Sequence, residues 1–202
     1  MNSSNTRKRA RLPRSALVNL AVLLAACAGT PTRFHTLDPV APAAAPATAS
    51  IAPPVRLDSV TLPSELDRLA IVRRSGTGRL DVADTDRWAG PLDAIARQAL
   101  AADLEARLPP GTLVRPGDPD PPTNLRSLDV EIERFEGDLG GTVALVAHWT
   151  MRDPGKSAET RLRRDERIEI PGVSSDVDAT VTGMGRALAA LADRIAAALR
   201  DR

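Results

Sequence analysis

Beyond residue 125, apolar and polar residues alternate along the chain. Leu128, Val130 and Ile132 interleave with Asp129, Glu131 and Glu133, the period-two pattern of a strand with one buried and one wet face. The alternation slips at Arg134-Phe135, which predicts a β-bulge. Residues 137–141 turn the chain, and Val143, Leu145, Ala147, Trp149 and Met151 then share one face of a second strand. Asp153-Pro154-Gly155-Lys156 turns it again, into a third strand at residues 160–170. The heavy charge of that strand suits a sheet edge. After it the apolar period lengthens. Val177, Val181, Met184, Leu188, Leu191, Ile195 and Leu199 step by four and three down one side of a long helix. Ser175-Asp176-Val177-Asp178 in front of it reads as a capping box, with Asp standing in for Glu.

Upstream, residues 55–60 and 69–73 read as strands, and Ser75-Gly76-Thr77-Gly78 as a hairpin turn into residues 79–82. Gly90-Pro91 opens a helix, proline being suited to a first turn. Leu92, Ile95, Ala96, Ala99, Leu100, Leu104 and Leu108 are its apolar stripe. Residues 39–54, of which twelve are Ala or Pro, read as a stiff linker, and residues 109–122, with six prolines, as a second break. Residues 33–37 (RFHTL) are short but alternate as a strand does. We expect them to dock on the domain with Phe34 buried, which would stabilise it by about 1.5–3 kcal/mol. The fold class is mixed α/β (α+β): a single domain with a mostly antiparallel or mixed sheet and two long helices packed on it.

The N-terminus changes the picture. Arg7, Lys8, Arg9, Arg11 and Arg14 precede an apolar run, residues 16–26, broken only by Asn19. As a helix that run is roughly 16 Å long, about half the hydrocarbon core, so it reads as a secretory signal rather than a membrane span. It ends in Leu24-Ala25-Ala26-Cys27, similar to the lipobox of bacterial lipoproteins. Cleavage is expected between Ala26 and Cys27, whose thiol would take the lipid. Cys27 is the only cysteine in the chain, and lipidation explains a thiol that has no disulfide partner. The expected divisions are 1–26, signal peptide; 27–54, lipidated N-terminus, short strand and linker; and 55–202, the domain. Without its signal the chain carries 22 basic against 26 acidic side chains, because five of its 27 basic residues and none of its acidic ones precede Cys27. A net charge near −4 gives no basic face for nucleic acid.

Candidate chemistry is sparse. There are two histidines and no tyrosine. His35 lies beside the anchor, and His148 reads as a hydrogen-bonded, half-buried strand residue. No clustered His and Cys could hold a metal, and Gly172-Val173-Ser174-Ser175 lacks the second glycine of a nucleophile elbow. Gly76-Thr77-Gly78 and Gly183-Met184-Gly185 are incomplete as dinucleotide fingerprints; the second reads as a site of close helix–sheet approach. Asp84 and Asp86 read as loop carboxylates, and residues 161–167 as a solvated strand face. We expect a non-enzyme with no cofactor and no metal.

An ordered series of segments resembles the PqiC-type ABC-transport auxiliary lipoproteins, a family of intermembrane transport lipoproteins. After the lipobox come Phe34-His35-Thr36-Leu37-Asp38-Pro39, the Ala/Pro linker, Val60-Thr61-Leu62-Pro63, Leu66-Asp67-Arg68, Ile71-Val72 and Arg87-Trp88-Ala89-Gly90-Pro91-Leu92. Phe135-Glu136-Gly137, Ala147-His148-Trp149 and the C-terminal helix complete it. The sequence departs from the family at Gly90, where Glu is usual, and at Leu69-Ala70, where Pro-Gln is common. The resemblance implies a palmitate-bearing outer-membrane lipoprotein facing the periplasm that supports membrane integrity. Its partners would be an MCE-domain protein and inner-membrane transporter components, with a homo-oligomer left open. It would be a non-catalytic accessory subunit in lipid transport. Sorting to the outer membrane agrees with Ala, rather than Asp, at position 28. Trp88 and Phe34 are candidate partner contacts. The alternatives are a structural or assembly lipoprotein without a transport role and, less favoured, a periplasmic hydrolase.

The lipobox generates a direct expectation. Cys27→Ala should leave the precursor uncleaved and abolish incorporation of labelled fatty acid in cells. Continued labelling of that variant would remove Cys27 as the anchor.

Overall fold

In the computed structural model, residues 30–43, 51–115, 117–155 and 161–201 are described. Ala26, Cys27 and the signal segment lie outside them, as do residues 44–50 of the Ala/Pro stretch. The described strands are β1 (Arg33–His35), β2 (Val55–Thr61), β3 (Ala70–Gly76), β4 (Arg79–Trp88), β5 (Leu113–Val114), β6 (Arg126–Asp138), β7 (Thr142–Arg152) and β8 (Leu162–Pro171). The helices are α1 (Leu92–Arg107) and α2 (Val177–Arg200), with a single 3₁₀ turn at Ser64–Leu66.

The alternation that opens the sequence reading becomes β6, which organises an eight-stranded sheet. One edge of β6 pairs antiparallel with β7 along nearly its whole length. The other edge is shared. Arg126 to Glu131 pair in parallel with β2, while Gly137 and Asp138 pair in parallel with β3. β3 continues to β4 and β1, β2 continues to β5, and β8 closes the far side through β7 alone. Parallel and antiparallel pairings coexist, so the sheet is the mixed form of the two alternatives. The bulge sits one residue earlier than the slipped alternation suggests: Ile132 faces Ala147 and Arg134 faces Val146, leaving Glu133 as the extra residue.

Both helices pack on one face. Leu100, Leu104, Leu188, Leu191 and Ile195 are buried with Leu128, Leu145, Trp149 and Met151 in a single core. The α2 cap is Asp176, not Ser175, and its carboxylate accepts the Ala179 N–H at 2.7 Å. β4 runs six residues beyond the predicted end at 82 and takes in Asp84 and Asp86, which are strand rather than loop residues. β5, only two residues long, lies inside the second Pro-rich break.

Close approach of α2 to the sheet depends on glycine. A Cβ on Gly183 would meet Val143 Cγ2 at 2.8 Å, and one on Gly185 would meet the Asp38 carbonyl oxygen at 3.2 Å. The tightest case is Gly137 in β6, where a Cβ would lie 2.6 Å from Thr180 Cγ2. Thr180 cannot simply rotate away, because its hydroxyl donates to the Asp176 carbonyl at 2.9 Å. Gly137→Ala should therefore destabilise by about 1–3 kcal/mol and lower Tm by several degrees. Adding Thr180→Ser, which deletes the clashing methyl and keeps the hydroxyl, should recover part of the loss. A Gly137→Ala melt matching the wild type would refute the contact.

Candidate functional site

Strand alternation turns Arg33 and His35 to one side of β1 and Phe34 to the other. β1 pairs in parallel with the end of β4, placing Arg33 against Asp86, Phe34 against Arg87 and His35 against Trp88. Asp86 is the hub. Its Oδ1 lies 2.9 Å from Arg33 Nε and 2.8 Å from His35 Nε2, and the side chain is almost fully buried. Burial pushes this carboxyl up, but the hydrogen bonds from His35 and Arg33, with their charges, outweigh it and hold the group below the usual carboxylate range. Asp178, in the first turn of α2, adds a second carboxylate 3.3 Å from Arg33 Nη1.

The segment then crosses both helices. Leu37 is buried, and the Asp38 carbonyl lies over Gly185. The Val40 N–H donates to Asp103 Oδ1 at 2.8 Å, and its carbonyl accepts from Arg107 Nη1 at 3.0 Å. Arg107 also holds Asp103 at 3.2 Å and, from Nε, Asp193 of α2 at 2.6 Å. Burial pushes the Asp103 carboxyl up, against the hydrogen bond from Val40 and the charge of Arg107. The sequence reading missed this clamp, although a signal for it exists. Asp103 and Arg107 fall at helical spacing from Ala99, Leu100 and Leu104, so they interrupt the apolar stripe with opposite charges.

The predicted docking of residues 33–37 thus occurs, but the expected burial of Phe34 does not. Its side chain is 66% exposed. The inward positions of β1 belong to Arg33 and His35 because the buried Asp86 lies on that side, and Leu37 supplies the apolar burial instead. Trp88 is 2% exposed and belongs to the core, and its backbone N–H donates to the Leu69 carbonyl at 2.6 Å. The two candidate contact residues therefore face opposite environments. Ala26 and Cys27 lie outside the described residues.

On the helix-free face of the sheet, His148 sits between two carboxylates. Nδ1 is 2.5 Å from Asp165 and Nε2 is 2.8 Å from Glu133. With both ring nitrogens facing acceptors, both must donate, which requires the imidazolium. Its hydrogen bonds to Asp165 and Glu133 accordingly raise the His148 pKa, and the bond it donates lowers the pKa of Asp165. An imidazole held this way has no lone pair free to act as a general base. The neighbouring hydroxyl of Ser59 donates to Asp129 at 2.6 Å, away from the histidine. Among the described residues no group of His, Cys, Asp and Glu could hold a metal ion. Elsewhere, a groove of about 620 Å³ runs between α1 and β5 over Leu57, Ala101 and Leu113, with Glu105 and Arg115 paired at its rim.

The family model for the ABC-type transport auxiliary lipoprotein component matches residues 35–196. A crystal structure of an uncharacterised protein superposes with a TM-score of 0.67 at 20% identity, covering 84% of this chain and 99% of the other. A crystal structure of a protein from Xanthomonas campestris gives 0.59 at 17% identity, covering 81% and 91%. At these identities both comparisons establish the fold alone. No curated protein matches the chain significantly.

The His148 cluster sets a pH dependence of defined sign. A histidine whose folded pKa is raised stabilises fully below its unfolded pKa, about 6.5, and loses that contribution as pH rises through the folded value. Thermal melts should therefore show this contribution fading as pH rises above about 6.5, and His148→Gln should flatten that part of the profile. An unchanged slope in the variant would assign the effect elsewhere.

Proposed function

The chain belongs to the family of ABC-type transport auxiliary lipoprotein components, and from that premise we propose a specific role for it. It is a lipid-anchored subunit on the periplasmic side of the outer membrane, and it assists an MCE-type intermembrane lipid transport system without catalysing a reaction. Family membership carries the coarser statement of a membrane-associated accessory to transporter components. The lipobox supports the anchor at Cys27, and the residue after it, Ala28 rather than Asp, supports the outer membrane.

The docked N-terminal segment supports a scaffold held close to the bilayer. Six Cα steps separate Cys27 from Arg33, a reach of about 20 Å when fully extended. Had residues 33–40 been loose, the whole stretch up to β2 would have served as tether. Instead Asp86 grips it at the sheet edge, and Asp103 with Arg107 grips it over the helices. The engaged nitrogens of His148 support a non-catalytic role.

Crosslinking in cells should capture an MCE-domain protein, and deletion of the gene should sensitise the envelope to detergent. Capture of outer-membrane assembly proteins alone would favour a structural lipoprotein. Turnover of an ester or peptide by the purified chain would favour a hydrolase.

A further inference from the structure

Phe34 and Arg87 are cross-strand partners on the helix-free side of the sheet, at the edge where the chain enters the domain. Phe34 is 66% exposed. Single exposed apolar residues are common on protein surfaces, so this alone carries little. Two further observations single the corner out. Arg87 makes no ion pair among the described residues, whereas Arg33, Arg73 and Arg74 on the neighbouring strands each hold a carboxylate. And the leash ends here: among the described residues β1 pairs with β4 alone, and Phe34 lies seven Cα steps from Cys27, within about 25 Å. Leu69, 48% exposed, lies at the same end of the sheet, its carbonyl held by the Trp88 N–H.

We propose that this corner is a phospholipid-contacting patch, in which the Phe34 ring enters the headgroup region and the Arg87 guanidinium binds a lipid phosphate. The proposal rests on the lipid-anchored reading of Cys27. An aromatic ring suits the interface between headgroups and acyl chains, and a planar guanidinium offers two parallel N–H donors to a phosphate. A chain whose net charge is near −4 after signal removal needs a local unpaired cation to approach such a surface. Arg87 supplies one where the anchor forces proximity. The patch would give the lipid-anchored domain a defined orientation, with the sheet edge toward the bilayer and β8 away from it.

The test reconstitutes the full acylated chain in vesicles of phosphatidylethanolamine and phosphatidylglycerol. It carries a nitroxide at Thr36→Cys, the next exposed residue on that side, or at Arg164→Cys on β8 as reference. Because the lipid consumes Cys27, the introduced thiol is the only one available for labelling. Collision with a water-soluble nickel chelate should be several-fold lower at 36 than at 164. That difference should vanish in the Phe34→Ser/Arg87→Ser double variant. Arg87→Gln alone, with Phe34 kept, should reduce it if the double variant melts low. Equal accessibility at the two positions, with acyl mass on Cys27 and flotation intact, overturns the contact and leaves the anchor standing. A chain without acyl mass on Cys27 overturns the anchor itself. Concentration-dependent shielding at 36 in the vesicle-free Cys27→Ala chain assigns the patch to a second copy and overturns the lipid contact.

Discussion

β6 constrains everything around it because one of its edges serves two neighbours. A thirteen-residue strand is long enough for β2 to occupy its first half and β3 its last two residues, both in parallel. Between those pairings lies the bulge at Glu133, which increases local twist and separates the two groups of strands. β2 leads to β5 and the groove beside α1, whereas β3 leads to β4, β1 and the chain entrance. Loss of register in β6 would therefore disturb the groove and the attachment point together. Gly137 lies in the β3-paired portion, where α2 approaches most closely, so strand order and helix packing are fixed at the same place.

Charged side chains, with Leu37 as the one buried apolar residue of residues 33–37, hold the N-terminal segment. Asp86 and Asp103 are both buried, and each is matched by partners on that segment or beside it. A buried carboxylate without partners costs several kcal/mol, so each clamp is two-sided. The segment needs the carboxylates to find its place, and the carboxylates need the segment or its arginine to remain ionised. Phe34 contributes nothing to this grip, which leaves it free to face outward.

Legibility in the sequence followed the length of the pattern. The β6–β7–β8 meander and both helices were readable because each repeats its period many times, and the glycines of α2 were correctly taken as packing sites. β5 was unreadable, since two residues carry no period. β4 was cut short because Asp84 and Asp86 are poor strand formers, and only a partner remote in sequence, β1, makes Asp86 acceptable there. The same remoteness misled the reading of Phe34. Alternation identified two faces of β1 but not which one was inward, and the decision lay with a carboxylate 51 residues away from His35. Trp88, a candidate partner contact by sequence, is buried in the core, which no pattern around it announced. Cys27 was read from its motif alone and lies outside the described residues.

The grip on the entrance segment also has a temporal side. Arg33 hydrogen-bonds to Asp178, 145 residues further along, and the carbonyl of Asp38 rests against Gly185 in the same helix. In a chain made from its N-terminus, the partners of the first strand are thus the last to emerge. Until α2 is complete, residues 30–40 have only part of their binding site. Completion of the C-terminal helix then supplies Asp178 and Gly185, so the order of synthesis makes the docking of the first strand one of the last steps of folding.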